Sequence, residues 1–388
     1  MSPQPDWERI RGEFPSLKDW TYLNTATFGQ MPRRASEAMV GHLRHRDELA
    51  CWDFLSWFDD ADRIRALVAR LIHCESEDIA FVSNACDALS LLIGGLDWKP
   101  GDRVVTLEGE FPNNIYYPAL LGSEGVEFVE TSWERFYDAL SPRTRLVALS
   151  TVNYTNGFRL PLEEVAPELR RRGILLYLDG TQSLGALRFD AAHIHPDMLA
   201  VHGYKWLLSP TGAAFVYVSP EMRERLKPNV IGWRSHKGWR NVDHLHHGAP
   251  EFTGAAEKYE GGMLVFPVLY AMGASLEMLL EIGPELIESR VQELAGDCRA
   301  RLRKLGARLI ADEAPHFDSP IIAARFEGID ASLLARSLKD ARILVSARHG
   351  NLRISTHFYN NSRDLDCLVD ALSSQLPAAL QSGTAPKG

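Results

Sequence analysis

Cysteine is scarce in this 388-residue chain. Cys51, Cys74, Cys86, Cys298 and Cys367 are an odd number at wide spacings with no C-x-x-C pair, which argues against a disulfide framework and a structural zinc site and fits a reducing cytoplasm. Long apolar runs are also missing. The longest stretch without a charge, 261–276, contains Pro267 and falls short of the roughly 18 residues a bilayer span requires, so it reads as a buried core segment. Residues 1–11 carry Asp6, Glu8, Arg9 and Arg11 and lack the apolar core of an export signal. Positive charge is not in excess: 42 Lys plus Arg stand against 51 Asp plus Glu, a formal net charge of −9. With no basic run interleaved with aromatics, nucleic acid and anionic membrane are poor partners. No G-x-G-x-x-G follows the early strands, so a nicotinamide-binding reading is weak. His236, His244, His246 and His247 are dense but read as a polar loop, and no metal is expected.

What is present is an ordinary globular composition. The chain is 45% hydrophobic and 24% charged, with 29 Gly and 21 Pro spread along it, and at about 150 residues per domain its length favours two domains. Helical spacing of apolar residues predicts helices over 33–46 and 61–72, where Ile64, Leu67, Val68, Leu71 and Ile72 share one face. A shorter helix is expected over 7–14, ahead of an extended piece at 21–23 and the stretch Asn24 to Gly29. Strands are expected at 79–82, 103–107, 126–129, 146–150 and 174–178, with helices at 89–96 and 162–172 among them. Continuous apolar strands alternating with helices imply an α/β fold with a mostly parallel sheet covered on both faces. The runs 198–201 and 213–218, joined by a polar turn, read as a strand pair near an open end of that sheet. From about residue 276 the texture changes to long helices up to 305, short strands at 321–326, 343–346 and 352–355, and a last helix from 364. That is a second, α+β unit, and no repeat links the halves.

The chemistry concentrates at two strand ends. The strand 174–178 runs into Asp179, and ligands of open parallel sheets sit outside the carboxyl ends of strands. The next apolar strand is followed by His202-Gly203-Tyr204-Lys205, which puts an amine among apolar neighbours that disfavour its charged form and make it a nucleophile. An acid at one strand end and an amine at the next are what pyridoxal phosphate requires, the acid for its pyridine nitrogen and the amine for its aldehyde. Ser83-Asn84-Ala85-Cys86-Asp87, between a strand and a helix, offers backbone N–H groups and a helix dipole to a phosphate.

These residues resemble the class V aminotransferase family of fold-type I pyridoxal phosphate enzymes, which includes cysteine desulfurases, kynureninases and isopenicillin-N-epimerase-like proteins. The likeness covers nearly the whole chain and is most specific at Leu178 to Ser183, His202 to Lys205 and Pro210 to Gly212. It implies a large domain at 24–260 around a seven-stranded sheet, and a small domain from 1–23 and 261–388. It implies Lys205 as the Schiff-base lysine, Asp179 as the pyridine-nitrogen partner and Gln182 as a partner of the ring oxygen. His202 and Tyr204 would lie on the phosphate with Asn84, Ala85 and Cys86. Phe111 matches the ring that stacks on the cofactor, and Tyr154 falls where the family has an asparagine at the ring. Arg353 matches the arginine that grips the substrate carboxylate, a pairing its planar fork suits, and Asn24 is expected beside the substrate. Gly262 stands where relatives carry a threonine that reaches the neighbouring subunit's phosphate, and offers only its backbone N–H. The resemblance further implies a homodimer with active sites at the subunit interface.

The family runs several reactions on one cofactor, so fold does not choose among them. Residues 346–353 contain no cysteine and no inserted loop, which argues against a persulfide-forming desulfurase. Transamination of an amino acid is the expected reaction. C–S lysis, epimerisation and, as a different class, a cofactor-binding regulatory protein without turnover are the alternatives. Glu257, Trp233, Trp239 and the histidine loop are candidates for shaping the substrate pocket, without assigned roles.

Overall fold

The computed structural model describes residues 5–312 and 314–382; residues 1–4 of the stretch read for an export signal, and 383–388 of the expected small domain, lie outside them. The first strand, β1 (Thr21–Tyr22), pairs in parallel with a strand far along the chain at Ile343–Leu344. The next seven are β2 (Ile79–Val82), β3 (Arg103–Leu107), β4 (Glu127–Thr131), β5 (Thr144–Ser150), β6 (Leu175–Asp179), β7 (Met198–His202) and β8 (Ala214–Val218). They form one sheet in the order β2-β8-β7-β6-β5-β3-β4. Strands β4, β3, β5, β6 and β7 run parallel, as helical crossovers demand. Only β8 runs against its neighbours β7 and β2, because the short connection from β7 reverses the chain.

Both faces of this sheet are covered. Along β6 all five residues are buried; Leu176 and Leu178 join one apolar cluster while Leu175 and Tyr177 join the other, the two-residue alternation of a strand. Of the charge-free stretch 261–276 only the part from Phe266 onward enters the core, Met263 and Val265 staying more than half exposed; helix Phe266–Ile282 starts ten residues before the expected 276 because Pro267 suits a first helical turn. The helix ends at Gly283, whose φ of 97° no longer continues it, and Pro284 opens the next, Pro284–Lys304.

The remaining strands are β9 (Arg308–Leu309), β10 (Ile321–Arg325), β11 (Ile343–Leu344), β12 (Ser346–Arg348) and β13 (Asn351–Ser355). A four-stranded antiparallel sheet takes the order β12-β13-β10-β9. The single strand expected at 343–346 is therefore two: β11 joins β1, while β12 makes a hairpin with β13 through His349 (φ 47°) and Gly350 (φ 75°), the positive-φ pair of a two-residue loop. No single helix among the described residues is long and apolar enough to cross a membrane.

Candidate active site

Asp179 closes β6 at the middle of the sheet and is 6% exposed. The Thr181 N–H donates to its Oδ1 at 2.9 Å. Burial raises its carboxyl above the usual carboxylate range, against the Thr181 hydrogen bonds and the nearby Lys205 charge. Lys205 follows β7 and is 7% exposed. Burial lowers its ammonium to about 8, against Asp179 and with Arg353 and Arg348. Its Nζ lies 5.6 Å from the Phe111 ring centroid and 5.3 Å from that of Tyr204. The lysine loop is pinned by the N-terminal segment: Gly29 N–H donates to the Tyr204 carbonyl at 2.9 Å, and a Cβ on Gly29 would stand 1.8 Å from the Lys205 carbonyl oxygen. Only glycine permits that approach.

One cavity is lined by Ala85, Phe111, Tyr154, Asp179, Gln182, His202, Tyr204 and Lys205. His202 Nε2 is buried there without a hydrogen-bond partner among the described residues, and burial lowers its imidazole to about 4. An imidazole kept neutral and unpartnered beside a lysine is prepared for a ligand group. Phe111 is 37% exposed and meets Tyr154 edge-on at 5.2 Å, so it is a wall and not a core ring. Gln182 Nε2 donates to the Ala26 carbonyl at 3.0 Å, while its Oε1 accepts from Trp206 Nε1 at 3.0 Å. One N–H of the amide is left for a ligand.

At the helix Ala85–Gly95, Asn84 is the N-cap: its Oδ1 accepts from the N–H of Cys86 at 3.0 Å and of Asp87 at 3.1 Å. The turn expected to present free N–H groups is thus capped by its own side chain, and of its first three N–H groups the one on Ala85 stays outside the cap. The Gly262 N–H, expected to be free, donates to the Glu260 carbonyl at 2.8 Å, and Gly262 does not line this cavity.

Arg353, on β13, is 1% exposed. Its Nε donates to Ser346 Oγ at 3.1 Å, Nη1 to the Tyr154 carbonyl at 2.5 Å and Nη2 to Thr27 Oγ1 at 2.5 Å. Burial, then the charge of Arg348, pull the guanidinium down to about 9, which leaves it cationic at neutral pH. Among the described residues no carboxylate pairs with it. Asn24 stands behind it: Thr27 Oγ1 donates to Asn24 Oδ1 at 2.9 Å. A buried cation without a counter-ion is costly unless a ligand supplies the anion.

Trp233 and Trp239 are elsewhere, in an aromatic cluster with Phe58 and Arg234, and Glu257 pairs with Arg234. Trp239 is buried in the core and Trp233 half-buried against it, and neither lines the cavity beside Lys205. His236 and His246 stack on each other at 4.0 Å. Sequence reading missed Thr27 and Ser346, which hold Arg353, and Glu110, a buried carboxylate accepting from the Ser150 N–H at 2.8 Å and from Asn114 Nδ2 at 3.0 Å. Only Glu110's place immediately before Phe111 could have signalled it.

For pyridoxal phosphate the residues fit: the cavity wall presents a carboxylate, an amine, an aromatic face and an orphaned imidazole nitrogen. A family model for class V aminotransferases matches residues 55–368. Isopenicillin N epimerase of Streptomyces clavuligerus is 29% identical over 95% of this chain and 98% of that protein. An uncharacterized aminotransferase of Bacillus subtilis, YcbU, is 26% identical over 95% and 98%. Among solved structures, a C-DES mutant with glycine covalently linked to its PLP cofactor superposes with a TM-score of 0.85 at 22% identity, covering 95% of this chain and 99% of that one. It has the same fold.

Proposed function

The chain belongs to the class V aminotransferase family of pyridoxal phosphate enzymes, and from that premise we propose that it transaminates a free α-amino acid as a cytoplasmic homodimer. Arg353 carries the reading: a guanidinium 1% exposed, held by three neutral oxygens, whose charge reaches Lys205. That is a waiting seat for an α-carboxylate.

When bound, pyridoxal phosphate supplies a conjugated ring that draws electrons from the α-carbon of an attached amine. Lys205 Nζ is the Schiff-base amine that would hold it, and Asp179 is the carboxylate for its pyridine nitrogen. His202 and Tyr204, with residues 84–86, would take the phosphate, and Gly262 of a second copy would approach it. Phe111 and Tyr154 would bound the ring, and Gln182 would offer its remaining N–H to the ring oxygen. Arg353 binds the α-carboxylate, with Asn24 orienting it through Thr27. Lys205 Nζ in its neutral form would be the base that takes the α-proton and, once protonated, the acid that gives it back.

The pairing of β1 with β11 supports grouping 1–23 with the C-terminal part of 261–388 in a division from 24–260, whereas helix Phe266–Ile282 packs on helices Arg33–Leu49 and Ser56–Ile72 and shares the core of the large sheet, which favours a boundary after that helix. Epimerisation is the second reading, favoured by the 29% identity to isopenicillin N epimerase. The two separate on the mass of the cofactor released after incubation with an amino-acid pool. Pyridoxamine phosphate is expected. Unchanged pyridoxal phosphate with an inverted amino acid would replace transamination by epimerisation, and no B6 species at all would sink the reading.

A further inference from the structure

We propose that Arg348 binds a second carboxylate, so that the amino acid this site prefers carries a carboxylate at the end of its side chain. The proposal rests on the reading of the site as an amino-acid site. In the β12–β13 hairpin Ser346 lies opposite Arg353, and Arg348 lies opposite Asn351. Residues two apart on a strand share a face, and so do directly opposed residues. Ser346, Arg348, Asn351 and Arg353 therefore project from one side, the side on which Ser346 Oγ meets Arg353 Nε. Arg348 and Arg353 are diagonal cross-strand neighbours, a separation of roughly 7–8 Å.

Arg348 is half-buried, and among the described residues its guanidinium makes one hydrogen bond, from Nη1 to the carbonyl of the preceding Ala347 at 2.7 Å. No carboxylate or aromatic ring engages it among the described residues, although Arg145, Arg159, Arg188, Arg234 and Arg301 all meet acids. Its charge is felt at the site, where it acts against protonation of both Lys205 and Arg353. Two like charges on adjacent strands repel until an anion lies between or beyond them. An α-carboxylate on Arg353 and a side-chain carboxylate on Arg348 would neutralise both, each through a planar fork.

The test compares L-aspartate and L-glutamate with their neutral isosteres L-asparagine and L-glutamine, by single-turnover absorbance changes of the holoenzyme. One acid should exceed its amide in kcat/KM by about 30-fold, the scale of one charge-assisted pairing. In Arg348→Met that ratio should fall towards one, and Arg348→Lys should restore part of it. Calorimetric titration with succinate and glutarate against butyrate reads the same preference without turnover: the dicarboxylate should bind more tightly, and lose that margin in Arg348→Met. Preference for the amides, equal loss on acids and amides, or a changed dimer equilibrium alone would overturn the proposal while leaving the amino-acid reading intact. If no amino acid turns over, that reading fails, and the dicarboxylate titration still decides the role of Arg348.

Discussion

Burial lowers the Lys205 ammonium to about 8 while Asp179 works to raise it, and the reacting form is the neutral amine. The rate at which cofactor-free protein takes up pyridoxal phosphate should therefore rise about tenfold per pH unit below 8 and level off above it. In Asp179→Asn the inflection should move to lower pH, because the charge that holds the proton is gone. Absorbance-monitored reconstitution across pH 6 to about 10 checks both. For Arg353→Met, loss of a charge-assisted pairing with the substrate should raise KM about 30-fold, or about 2 kcal/mol, with a smaller effect on kcat. Steady-state kinetics with the amino acid identified from the pool measure that split. At this scale the positions most legible in the sequence were those of proposed site residues at strand ends, Asp179 closing β6 and Lys205 following β7. Thr27 and Ser346 were invisible, because what gives them meaning is Arg353, brought to them from a distant strand by tertiary folding.

The elements that carry these residues are coupled by close backbone approaches. A Cβ on Gly29 would collide with the Lys205 carbonyl, so Gly29→Ala should displace the lysine loop. Far-ultraviolet circular dichroism should be retained, with cofactor occupancy measured by absorbance reduced severalfold and thermal stability lowered by about 1–3 kcal/mol. Parallel strands buried on both faces were readable from their continuous apolar runs, as β3 at 103–107 shows, and the edge strand β2 likewise falls at its apolar run 79–82. Helix starts were less readable: Ala85–Gly95 begins at its Asn84 cap, four residues ahead of its apolar run. The division of 343–346 between two sheets was not readable at all, since nothing local says that Ile343 will pair with Thr21.

As a whole molecule the chain leaves Val230, Ile231, Met263 and Val265 each more than half exposed, and three of them line a cleft with Ser83 and Asp87 near the capped turn. Apolar side chains gathered on a surface mark an interface. In the proposed homodimer they face the second copy, so Met263→Asp with Val265→Asp should shift sedimentation towards monomer and lower cofactor occupancy together. A variant that stays fully dimeric would place the interface elsewhere. Lys205 as the residue that holds pyridoxal phosphate underlies every proposed role in the site, and borohydride reduction of the purified holoenzyme followed by peptide mass mapping tests it directly. A pyridoxyl group is expected on the peptide containing Lys205 and absent from Lys205→Ala. A pyridoxyl group on another lysine, or on none while the protein still turns over amino acids, would contradict it.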